Sequence, residues 1–318
     1  MNVSRQRSLL AVVMLVILAG SVGAAWLLVH RGSAASAVLE EMRSKGLATY
    51  WGQQHQTLFY LISDGNRPVG WIVRRQGPAE NGYSGQDIVG PSGSSSKWTL
   101  SNDATTGQYL SVAYSDRRKI ETDTTLGKVR LAVRQTIGND TFQGEVLAPV
   151  NYIPEGAMEL VIHLVARNGR NARFTSIIDK FAFREVEEGE FNLVELDMTP
   201  QNANTVRVVQ EITVKGVKET IAKTYDLDDH GQVVKEDTTD TIVTPVGRQI
   251  GHSVTTLTTG QELLKIFKDD DELKAQVADT SITETHKPSG TRGTASSEND
   301  SPEDSSDRPH TDAPVHNY

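Results

Sequence analysis

The stretch Asp226-Leu227-Asp228-Asp229-His230-Gly231 has residue types that come near to a recognisable chemistry, that of calcium binding. Acids stand at the first and third positions of an EF-hand-like loop, glycine at the sixth, and Asp237 at the twelfth. His230 occupies a position where Asp or Asn is needed, and the flanks Ile221–Tyr225 and Val233–Lys235 read as strands rather than helices. A hairpin turn explains the same residues, because Asp and Gly supply the backbone geometry that a turn demands.

The other candidates are weaker. Of the histidines, His55, His163, His230, His252 and His286 show no spacing that would place two ligands on one helix face. Ser176 and Asp179 are near in sequence, but no Gly-x-Ser-x-Gly turn surrounds the serine. Glu185, Glu187, Glu188 and Glu190 cluster where a hairpin tip is expected, and solvated turn charges account for them. Gly90-Pro91-Ser92-Gly93-Ser94-Ser95-Ser96 lacks the lysine of a phosphate-binding loop and reads as a flexible connection. No catalytic, cofactor-binding or metal-ligating residue is assigned, no cofactor is expected, and the chain is not expected to be an enzyme.

Composition narrows the classes further. The formal net charge of −9 over 318 residues argues against nucleic-acid binding, which wants a basic face. The absence of cysteine excludes a disulfide framework, a thiol nucleophile and a lipid anchor carried on Cys.

The elements that would position any site follow from periodicity. Leu9 to Val29 carries no charge, and as a helix of roughly 31 Å it would match a bilayer core. Arg5 and Arg7 precede it, so the positive-inside rule predicts a cytoplasmic amino terminus and an exported remainder. Small residues at Val22-Gly23-Ala24 and Ala35-Ser36-Ala37 leave open a cleaved signal peptide and a secreted form. Either way the remainder lies in the periplasm or outside; with an uncleaved anchor, the chain is a single-pass protein of the bacterial inner membrane.

Residues 36–56 then read as a stalk helix with Val38, Leu39, Met42 and Leu47 near one face. Roughly a dozen strands follow from Thr57 to Thr258 with polar turns between them, interrupted by one helix that opens at Pro154. Gly260 to Ala278 is helical again, broken near Asp269–Glu272. The fold class expected is mainly β (α+β). It comprises a cytoplasmic stub and an N-terminal transmembrane helix, a signal-anchor, within residues 1–35, and the stalk helix over 36–56. A large curved antiparallel sheet or half-barrel with one inserted helix follows over 57–278. Residues 279–318 hold eight acids, thirteen Ser or Thr and four Pro, and are expected to form a disordered tail.

The hairpin from Leu58-Phe59-Tyr60-Leu61-Ile62 to Gly65-Asn66-Arg67-Pro68-Val69-Gly70-Trp71, the pair Thr220–Leu227 with Val233–Thr238, and Asn151–Leu160 opening a helix resemble exported β half-barrel proteins of the lipoprotein-carrier fold. That resemblance implies a sheet curled around an apolar cavity able to hold an acyl chain, and it transfers no functional residue. The leading expectation is therefore a non-enzymatic domain, anchored through residues 9–29, that binds a lipid, a lipidated protein or another hydrophobic group in a cavity lined by side chains such as Trp71, Phe181 or Phe183. A scaffold for another envelope protein is the alternative, and an extracytoplasmic hydrolase with a dispersed site is the third reading.

Overall fold

The computed structural model describes residues 34–115, 118–177, 191–214, 217–245 and 247–284. The apolar segment 9–29, most of the tail, and Phe181, Phe183 and Asp179 lie outside these residues. So do Glu185, Glu187, Glu188 and Glu190. Among the described residues no helix is long and apolar enough to cross a membrane.

The chain is mainly β, as its period-two patterning predicts. Fourteen strands form one antiparallel sheet in the order β8-β7-β6-β5-β4-β3-β2-β1-β14-β13-β12-β11-β10-β9. The first half runs through β1 (Gln56–Asp64), β2 (Arg67–Ala79), β3 (Gly82–Gly90), β4 (Ser94–Ser101), β5 (Gly107–Ser115), β6 (Arg118–Leu126), β7 (Arg130–Ile137) and β8 (Asp140–Leu147). The second half comprises β9 (Ala172–Ile177), β10 (Leu193–Asn202), β11 (Thr205–Val214), β12 (Val217–Leu227), β13 (Val233–Thr244) and β14 (Gly247–Thr258). The halves join where β1 pairs with β14, for example Tyr60 opposite Leu257. Strand β13 is paired along its length with β12 and β14.

Between the halves lies the inserted helix expected after Pro154. A short 3-10 turn, Glu155–Ala157, leads into α3 (Met158–Asn168), and Gly169 ends it in the left-handed conformation at φ 63°. Leu160, Val161, Ile162, Leu164 and Val165 are buried, so only a narrow polar stripe of α3 remains. Each such side chain taken from water contributes about 1.5–3 kcal/mol, which makes α3 the centre of the main core. That core draws in Trp98 and Leu100 from one half of the sheet and Phe174, Leu196, Val206 and Tyr225 from the other. The sheet therefore wraps α3.

Its two edge strands are not hydrogen-bonded to each other among the described residues. The edges nevertheless approach, since Leu131 and Val133 of β7 pack with Ile177 and Phe191 in one cluster. Tyr152 forms a parallel bridge with Thr175 on the outer side of β9, and the Ile153 amide donates to the Thr175 carbonyl at 2.8 Å.

The segment expected as a stalk is part of this same core. Residues 34–45 form a helix, α1, and Leu47–Trp51 a second, α2, with Gly46 between them at φ 76°. Val38, Leu39, Met42 and Leu47 are buried in the cluster around α3. Asn102, in the β4–β5 turn, receives the start of α2: its carbonyl accepts from the Leu47 amide and its side chain from the Ala48 amide.

On the opposite face of the sheet, α4 (Gly260–Ile266) and α5 (Asp271–Glu284) cover β1–β3. Thr259 and Glu262 form a capping box that starts α4, and Asp270 accepts from the Leu273 amide to start α5. The break expected near Asp269–Glu272 is this second start. Leu263 and Leu273 close over Trp71, Val73 and Ile88.

Candidate functional site

Strand alternation sends neighbouring residues of β2 to opposite faces. Trp71 and Val73 go under α4 and α5, whereas Arg74 goes inward to α3. This corrects one expectation: Trp71 is fully buried and packs beneath the C-terminal helices, with its indole donating to Asp270 at 2.7 Å, so it lines no inner cavity.

What the inner face does hold is a set of paired ions. Arg74 binds Asp87, its direct neighbour on β3, through two hydrogen bonds of 2.8 Å, and also donates to Glu159 of α3. Its guanidinium lies 5.6 Å from the Tyr60 ring centroid. Further along, Lys223 of β12 donates to Glu236 of β13 at 2.7 Å, and the Thr238 hydroxyl donates to the same oxygen. These five charged side chains keep between 22% and 33% of their surface. That exposure lines a cavity of about 200 Å³ between α3 and the sheet, whose walls also carry Trp51, Trp98, Tyr109 and Tyr225. A second cavity of about 120 Å³ adjoins it and shares Trp51, Gln76 and Glu159.

Electrostatics keep the ions charged. Burial alone would lower the pKa of Arg74, but Asp87 overcomes it and holds the guanidinium above its ordinary value. Lys223 is likewise raised, with Tyr225 and Glu236 overcoming burial. Burial would raise Glu236, yet Lys223 and Thr238 hold it below the usual carboxylate range. Tyr60 and Tyr225 are pushed up chiefly by burial and remain neutral hydroxyls. The arrangement offers fixed charges and aromatic surface, with Glu236 in particular not poised to give up a proton near neutrality.

The Glu236 shift has a measurable consequence. A carboxylate more acidic in the folded than in the unfolded chain contributes stability above the unfolded value near 4.5, and that contribution is lost as pH falls below it. Glu236→Gln is expected to cost about 2 kcal/mol at pH 6. The difference from the parent chain should shrink as urea unfolding is repeated at progressively lower pH below 4.5. A pH-independent difference would show that Glu236 does not titrate against this cluster.

Two glycines make room for the aromatic wall. Gly85 stands directly across from Trp98 on the neighbouring strand, and a Cβ there would fall 2.3 Å from the indole. A Cβ on Gly156 would fall 2.5 Å from the same ring. Gly85→Val is therefore expected to cost about 1–3 kcal/mol by overpacking and to shift the tryptophan emission. An unchanged spectrum and midpoint would place Trp98 elsewhere.

The remaining sequence candidates do not converge on this site. Asp228–Gly231 is the β12–β13 turn, where Asp228 accepts from the amides of His230 and Gln232 and Gly231 adopts φ 81°. No group of metal-ligating side chains occurs among the described residues. His163 lies on α3 against Gly231, and burial, opposed by Asp228, holds its pKa below the ordinary value. Ser176 is buried in β9, its hydroxyl 3.5 Å from the Ile153 carbonyl. Within Gly90–Ser96 only Pro91–Gly93 is a turn, and Gly90 and Ser94–Ser96 belong to β3 and β4, so the flexible connection expected there is mostly strand. Arg74, Asp87, Glu159, Lys223 and Glu236 went unnoticed in the sequence. The available signal was a charge at an inward position of an otherwise apolar strand, as Arg74 is after Trp71-Ile72-Val73.

Fold and site together define a single-sheet β protein wrapped on one helix, with an ion-paired, aromatic cavity at the contact. No family model matches the chain, and no curated protein does. Among solved structures it matches a porin-like protein from Bacteroides uniformis at 14% identity, over 65% of this chain and 91% of that one. The TM-score is 0.19, and so loose a superposition carries no argument about fold or function.

Proposed function

We propose that the chain is a non-enzymatic, extracytoplasmic binding domain held at the bacterial inner membrane by residues 9–29. Its ligand is a lipid or another amphipathic molecule whose polar end enters the cavity against α3. The observation that carries this reading is the cavity itself, where aromatic rings and half-buried ion pairs meet on the concave face. At about 200 Å³ it is smaller than the roughly 300–1,000 Å³ of pockets that enclose a whole drug-sized ligand. It therefore takes a headgroup, with the acyl portion outside it. The charged lining departs from the apolar cavity expected from sequence.

The same lining counts against hydrolysis. A general acid needs a carboxyl with a raised pKa, whereas Glu236 is depressed. Native mass spectrometry of the full chain, released from detergent in the gas phase, tests the proposal. A reproducible adduct of lipid size supports it, and a bare chain from several preparations overturns it. A second reading, docking of another envelope protein, is favoured by Val129, Leu147 and Val150, which stand more than two-thirds exposed near the β7–β8 edge. Co-purification of one stoichiometric protein with no lipid adduct would select it.

A further inference from the structure

We propose that the cavity against α3 recognises a monovalent organic cation, an amine or quaternary ammonium group. This rests on the binding reading above and names the ligand's chemical class. Four carboxylates on the cavity wall, Asp87, Glu155, Glu159 and Glu236, face two cations, Arg74 and Lys223. Glu236 holds Lys223, and Asp87 holds Arg74 with both oxygens. Glu159 shares an arginine that is already engaged, and Glu155 accepts from the Tyr152 hydroxyl, so the wall carries two formal negative charges in excess.

A half-buried site favours a compensating charge, and a ligand cation beside Glu159 supplies it. An anion would meet repulsion from the carboxylates and find both cations occupied. A hard metal ion wants six or more oxygen ligands. Here instead the Trp51 and Trp98 rings lie 5.6 Å apart, with Tyr109 on the same wall. Aromatic rings attract weakly hydrated organic cations through the ring quadrupole, which is how quaternary ammonium groups are recognised generally. Trp51 reaches this position because Gly46 turns α2 away from α1 and Asn102 receives its first amides. The cation could be free or carried on a lipid headgroup, and the two sources share this chemistry.

The test is calorimetric titration of the full chain in maltoside detergent with choline, with its uncharged carbon isostere 3,3-dimethylbutanol, and with phosphatidylcholine vesicles. Choline is expected to bind at least about tenfold more tightly than the isostere. Glu159→Gln, which keeps the shape, should lower choline affinity about tenfold, and Trp51→Leu should do the same, with unfolding midpoints confirming that both variants fold. Binding of choline alone identifies a free cation, and binding of vesicles with or without choline identifies a headgroup; both support the inference. Equal affinity for choline and the isostere, or unchanged choline affinity in Glu159→Gln, overturns it. If neither choline nor vesicles bind while mass spectrometry shows another adduct, the cation class fails and the binding reading stands. A bare chain that binds neither removes both.

Discussion

In a Trp71→Ala variant the unfolding free energy is expected to fall by about 4 kcal/mol, near the upper range for single core truncations. The indole is fully buried between the outer face of β2 and the C-terminal helices, flanked by Leu263 and Leu273. A Cβ on Gly90, its partner on β3, would lie 2.2 Å from the ring, so the surroundings are built around this side chain. The loss also reaches the helix start. Asp270 accepts the indole proton with one oxygen and caps the Leu273 amide with the other, so truncation frees the residue that orients α5. Urea unfolding gives the magnitude, and limited trypsin digestion at Lys265, Lys268 or Lys274 should accelerate before global unfolding. Trp71→Phe, which keeps most of the area and loses the hydrogen bond, should cost about half as much. A loss below about 1 kcal/mol for the alanine variant would mean that α4 and α5 are not seated on β1–β3.

The second large effect concerns the inner face. Arg74→Met is expected to cost about 3 kcal/mol, because Asp87 and Glu159 would be left half-buried without their cation. Much of that cost belongs to the stranded carboxylates rather than to the lost attraction. Arg74→Met combined with Asp87→Leu and Glu159→Gln should therefore recover a large part of the stability. Additive losses across the three positions would show that they do not form one cluster. The same comparison separates stability from binding: the triple variant loses Glu159 and part of the excess negative charge and should bind choline poorly even where it folds well.

Strand periodicity made much of the architecture legible. The expected pair Thr220–Leu227 with Val233–Thr238 falls within β12 and β13, the helix after Pro154 is α3, and the acidic run Asp269–Glu272 marks the start of α5. Two strands escaped. In β6 the inward positions after Ile120 are Thr122 and Thr124, both buried, with Gln135 of β7 donating to the Thr122 hydroxyl at 2.9 Å. Buried hydroxyls at these positions leave no apolar alternation to read. In β3 the glycines Gly85 and Gly90 lower strand propensity, yet they are there because Trp98 and Trp71 lie over them. That reason is visible only across strands.

The residues of the site were hidden for a related cause. Arg74 and Asp87 are thirteen positions apart and Glu159 is eighty-five from Arg74, so no local window contains them. Helical and strand periods, turn residues and caps act over a few neighbours, and by themselves they determined that this chain makes a large antiparallel sheet with one helix inside its sequence. Which face of β2 meets α3 and which meets α4 and α5 was decided by tertiary packing. So was the gathering of four carboxylates and two cations beside Trp51, because burial and charge pairing act through space and take no account of sequence distance.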